Sequence, residues 1–211
     1  MSRRGISPEC ESFEQSEGWF RRCVLNRVKT ITTTNALLWG VAWLIISAML
    51  GWYFRIMPTS ACSFTLTDYV PLRLSLLLHL IVWITWTAPF LLIALLRNVK
   101  VSINELFSRM LFAHWPVIIV MLPGILGYRV AFATYLGNPI VAFDLYPAFS
   151  TILTIVLLLV VGWWLRWSYQ AYSVSTGRNI VVDKILFVVV AILAGGLSEV
   201  VLDYVLESVL A

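Results

Sequence analysis

An all-α, polytopic membrane protein is the fold class that the sequence predicts, and three observations predict it. Of 211 residues, 60% are hydrophobic and only 12% charged, against about 45–50% and about 25% in soluble domains. Mean hydropathy is +0.88. Apolar runs near the roughly 20 residues that cross a bilayer recur along the chain, bounded by charge, proline or turn residues. This composition excludes an ordinary soluble domain and a disordered chain. Three cysteines are too few for a disulfide scaffold.

Residues 1–18 are polar, with Glu9, Glu11, Glu14 and Glu17 set against Arg3 and Arg4, and read as a flexible cytoplasmic tail. Residues 19–31 place Trp19, Phe20, Cys23, Val24, Val28 and Ile31 at helical spacing, largely apart from Arg21, Arg22, Arg27 and Lys29. That pattern predicts an amphipathic helix in the interface. Five spans are expected within 35–206: Asn35–Met57, Leu72–Leu96, Met110–Tyr128, Ala148–Tyr169 and Ile185–Leu206. Ser102 and Glu105 have the spacing of a capping box at a helix that runs into the third span. Gly177, Asn179 and Asp183 mark the turn between the fourth and fifth. Pro89, Pro116 and Pro123 remove backbone donors and predict kinks. Trp39, Trp43, Trp115, Trp163, Trp164 and Trp167 fall toward cytoplasmic span ends and Trp52 toward the outer end, as interfacial belts, leaving Trp83 and Trp86 at mid-membrane. Gly195-Gly196 is expected to permit close helix approach.

Orientation follows from the basic residues. Twelve of the fifteen precede the first span or lie between the second and third or the fourth and fifth; only Arg55, Arg73 and Arg129 lie on the other side. The N-terminus is therefore expected in the cytoplasm and the C-terminus outside, as an odd span count requires. The same topology accounts for the net charge of +4 without a nucleic-acid partner. Cys10 and Cys23 fall on one side and Cys62 on the other, so no intramolecular disulfide is expected.

Signatures of soluble enzymes are missing, with no H-E-x-x-H, G-x-S-x-G, Walker loop or G-x-G-x-x-G. No catalytic residue, cofactor or metal site is assigned, and two histidines alone do not make a metal site. The groups that remain are ionisable residues in or near the spans, which hydrocarbon makes costly: His79, His114, Glu199 and Asp203. Gly195, Glu199, Asp203 and Glu207 step by four and form one helical stripe. On the cytoplasmic face, Arg21, Arg22, Arg27, Arg97 and Lys100 are the candidate contacts for lipid or a partner.

The stretches VSINELFSRMLFAHWPVIIVMLPGIL and WWLRWSYQAYSVSTGRNIVVDKILFVVV carry a resemblance to the Yip domain family, the Ypt/Rab-interacting membrane proteins and their bacterial relatives. The resemblance extends over roughly Trp19 to Leu206 and implies five spans, a cytoplasmic N-terminus and no catalytic residues. Eukaryotic members carry a D-L-Y-G-P-like stretch before the first span, where this chain has TITTTNALLWG; Rab binding is not carried over, and a bacterial-type member of the inner membrane is implied. The expected function is a membrane scaffold or accessory subunit that binds protein or lipid through its basic cytoplasmic face. The alternative is a small transporter or channel component with a proton or cation site around Glu199.

Overall fold

A computed structural model of the chain describes residues 26–61, 63–67, 69–122, 125, 147–177 and 181–210. The expected tail, most of the interfacial helix, Arg21, Arg22, the three cysteines, Asn179 and the loop before Pro147 lie outside the described residues. The protein is mostly helical, in keeping with the expected class. A single turn α1 (Arg27–Thr30) leads into α2 (Thr33–Phe54), and a short hairpin of β1 (Ile56–Pro58) and β2 (Phe64–Leu66) leads into α3 (Leu72–Leu96). After them come α4 (Ile103–Ala113), the one-turn α5 (Val117–Val120), α6 (Pro147–Thr176) and α7 (Val181–Leu210). Four of these helices, α2, α3, α6 and α7, are long and apolar enough to cross a membrane.

Thr32 accepts a hydrogen bond from the Asn35 amide and starts α2, satisfying one of the free amides at a helix start. Arg55 ends it with φ 55°, a left-handed turn that sends the chain back into the hairpin instead of on into solvent. There Ile56 pairs with Leu66, Met57 with Thr65 and Pro58 with Phe64. The hairpin folds inward: Ile56 is buried, and the Ala61 amide donates to Ser198 Oγ of α7 at 2.9 Å. The expected first span, Asn35–Met57, therefore ends earlier, at Phe54, and Ile56 and Met57 belong to the hairpin.

The third expected span is not one continuous helix among the described residues. Helix α4 stops at Ala113, His114 to Pro116 form a turn, and α5 resumes for one turn. Pro116 supplies the reason, because its ring has no amide to donate and clashes with the carbonyl four residues back. Pro89, by contrast, lies inside an unbroken α3. The Ser102–Glu105 pair is corrected as well. Ser102 occupies the cap position without a side-chain cap bond, and Glu105 accepts from Arg109 Nε at 3.0 Å.

Helix α2 packs on α4 and α3, α4 on α6, and α7 chiefly on α3. An aromatic core joins them: Trp86 meets Trp164 at 4.2 Å between ring centres, Phe90 meets Phe187 at 4.9 Å, and Phe112 stacks on Trp167 at 5.3 Å. Trp164 and Trp167 are therefore buried bundle residues and not belt residues, whereas Trp39 and Trp52 do face outward. At the loop end of α3, Arg97 donates to the fully buried Asp183 carboxylate at the start of α7. Arg109, also buried, donates to the Val28 carbonyl and so ties α1 to the bundle.

Candidate functional site

Two of the four candidate polar residues meet. Ser75, His79 and Trp83 are spaced by four on α3 and share one face, which α2 approaches closely. Ser75 Oγ donates to the Ala48 carbonyl of α2 at 2.8 Å. His79 Nδ1 lies 2.8 Å from the Ser75 carbonyl oxygen. A carbonyl can only accept, so Nδ1 carries a proton, and in the neutral ring Nε2 keeps its lone pair. Across from it, the break before Pro116 sets His114 at the end of α4 with its ring edge-on to Trp164, 5.4 Å between centres.

His79 and His114 line one small cavity of about 30 Å³ between α2, α3, α4 and the β-hairpin. Trp43, Trp83, Trp115 and Phe64 supply its aromatic walls. Trp43 stacks on Trp115 at 5.5 Å, and Phe64 of β2 comes to 6.4 Å from the His79 ring. Gly40 lets α4 approach α2 there, since a Cβ at that position would sit 2.6 Å from Leu111 Cγ. His79 Nε2, Trp83 Nε1 and His114 Nδ1 are buried with no hydrogen-bond partner among the described residues. Native interiors rarely leave such atoms unpaired.

Glu199 and Asp203 are not part of this cavity. Both lie exposed on the outer face of α7 with Glu207, beside Tyr204, which is 72% exposed. Gly195 and Gly196 have open space where a Cβ would point, so they admit no neighbour from within the described residues. The close approaches are made at Gly40 and Gly51 instead.

The cytoplasmic candidates divide similarly. Arg27 and Lys100 are exposed, as expected of contact residues. Arg97 is engaged inside the chain, and its hydrogen bond to Asp183 raises the guanidinium above its ordinary range, against the opposing effect of desolvation. Sequence reasoning missed Trp43, Trp83, Trp115 and Phe64 as cavity walls. The available signal was the four-residue spacing of Ser75, His79 and Trp83; nothing marked Phe64.

No three His, Cys, Asp or Glu side chains gather as a metal site among the described residues. Neither imidazole stands beside a hydroxyl or thiol nucleophile in the cavity lining, apart from Ser47, whose hydroxyl donates to the Leu44 carbonyl. Chemically, the arrangement is a small aromatic cavity with three buried ring nitrogens at its walls, large enough for a water or two. Comparison with protein-family models, curated proteins and solved structures finds no match to the chain.

Proposed function

We propose that the chain is a multi-pass scaffold or accessory subunit of a membrane complex, a bacterial-type relative of the Yip domain proteins. In this reading it crosses the inner membrane five times, with the N-terminus in the cytoplasm and the C-terminus outside. The observation that carries the proposal is the outer face of α7. Glu199 lies sixteen residues beyond Asp183, about 24 Å along the helix axis, still within a hydrocarbon core of about 30 Å. It is exposed and has no partner among the described residues. An acid at that depth is costly against lipid, and a neighbouring membrane helix offering a hydroxyl, amide or basic group relieves the cost. Open space at Gly195 and Gly196 on the same helix leaves room for its backbone to come close. Arg27 and Lys100 add a basic cytoplasmic rim suited to anionic lipid or an acidic partner segment.

The transport alternative draws no support from this arrangement, because Glu199 lies on the outer face of α7 while the imidazoles line the cavity. Gentle detergent extraction of the tagged protein at native abundance tests the proposal, with Glu199→Gln, Glu199→Leu and an Arg27/Lys100 charge reversal in parallel. A stoichiometric membrane-protein partner is expected with wild type and Glu199→Gln, and lost with Glu199→Leu. Recovery of the chain alone from all samples would overturn it.

A further inference from the structure

The exposed faces of α3 and α7 match each other in height along the bundle. The two helices run antiparallel: Arg97 meets Asp183 at one end, and Phe90 meets Phe187 at 4.9 Å farther along. Residues equally far in sequence from the Arg97–Asp183 pair therefore lie at nearly equal height, because each residue adds 1.5 Å. Arg73 and Glu207 each stand 24 residues from that pair, about 36 Å away. Ile84 and Gly196 each stand 13 residues from it, and Ala88 and Ile192 each 9. All six are exposed. Neither Arg73 nor Glu207 has a partner among the described residues.

Two copies of a chain in one membrane, related by rotation about the membrane normal, keep these heights. Arg73 of one copy then comes level with Glu207 of the next, and each gains a counter-charge. Ile84 comes level with Gly196, where a Cβ would have nothing within 4 Å, and Ile192 with Ala88, so a bulky side chain faces a small one at both positions. Some 36 Å from the Arg97–Asp183 pair, Arg73 and Glu207 stand beyond a hydrocarbon core of about 30 Å; there the charges select partner and register, and the apolar packing below them supplies the association. Pairing α7 with α7 of a second copy would instead set Asp203 and Glu207 against themselves, like charge on like. Lipid can cover either face but offers no matching register. We propose that the exposed stripe of α3 docks on the outward face of α7 of a second copy of this chain, Arg73 against Asp203 and Glu207 and Ile84 against Gly196. The inference rests on the reading of α7 as a face that receives a membrane helix, and it names that helix.

The test uses the full-length chain in its membrane at native abundance, with Cys10, Cys23 and Cys62 replaced, as two differently tagged copies. One copy carries Leu80→Cys and the other Val200→Cys, both at exposed positions and both 17 residues from the Arg97–Asp183 pair. Oxidation with copper phenanthroline should give a disulfide-linked product bearing both tags. Leu80→Cys combined with Ile192→Cys, eight residues out of register or about 12 Å, should give at least about tenfold less, because a disulfide tolerates no such gap. Arg73→Glu in the first copy should cut the product by about tenfold, and Asp203→Arg with Glu207→Arg in the second copy should restore it. Leu80 and Val200 lie outside the buried core, so the cysteine pair reports contact rather than folding. Absence of a product bearing both tags overturns the proposal, as does equal product from the out-of-register pair or from Val200→Cys in both copies. Absence of that product, with a different membrane protein still recovered by detergent extraction and lost with Glu199→Leu, removes self-association alone and leaves the accessory-subunit reading standing.

Discussion

Gly51 stands where α2 meets the returning hairpin, and a Cβ there would lie 2.8 Å from the Ile56 carbonyl oxygen, a backbone atom that cannot swing aside. Gly51→Ala should therefore cost about 1–3 kcal/mol by forcing the hairpin off the helix. Gly162, inside α6, has nothing within 4 Å of the same position. Gly162→Ala should leave stability unchanged or raise it by up to about 1 kcal/mol, because alanine is the better helix former. Unfolding of the two variants in one detergent checks both signs. The Arg97–Asp183 pair gives a second expectation. Asp183 is fully buried while Arg97 keeps some contact with solvent, so losing the pair should be felt mainly through the acid's site. Asp183→Ala should lower the unfolding temperature by about 5 °C or more, and Lys100→Ala, at an exposed position, by much less. The importance of Arg97 to the fold could not be read from the sequence, because a basic residue after an apolar run is equally explained as an interfacial anchor.

At the scale of elements, helix existence was largely legible and helix facing was not. The expected Leu72–Leu96 span coincides with α3, the first, fourth and fifth differ from the observed helices at their ends, and the third is interrupted at His114–Pro116. Helix α7 is apolar around most of its circumference, which leaves no polar face to reveal which side turns inward. The Glu199 stripe could thus be recognised as a stripe, but not as one that faces out. The two histidines were legible as a pair because they are the only two; the tryptophans around them were not, since tryptophan near a span end satisfies a belt as readily as a pocket. The hairpin escaped notice because three-residue strands fall below any reliable alternation pattern. Its attachment is testable. Ser198→Ala removes the hydroxyl that accepts from the Ala61 amide, and exchange of that amide should accelerate about tenfold, with the amides inside α3 unchanged.

For the whole molecule, the proposed orientation makes a labelling prediction. In a background lacking Cys10, Cys23 and Cys62, a cysteine introduced at the exposed Ser63 should react with an impermeant maleimide in intact cells. One at the exposed Lys100 should react only after permeabilisation. The reverse pattern would invert the topology. A last consequence concerns synthesis. The hairpin at the outer side of the cavity is fastened to α7, and Ala61 precedes Ser198 by 137 positions. Ribosomes add about 5–20 residues per second, so the hairpin waits roughly 10 s, to the nearest order of magnitude, for the residue that fastens it. Asp183, the buried partner of Arg97, also belongs to that final helix. The earlier helices therefore pass through the insertion machinery as an unfinished assembly, and a nascent chain stalled before α7 would present both an unpaired amide and an unneutralised guanidinium to whatever quality-control factors survey the membrane.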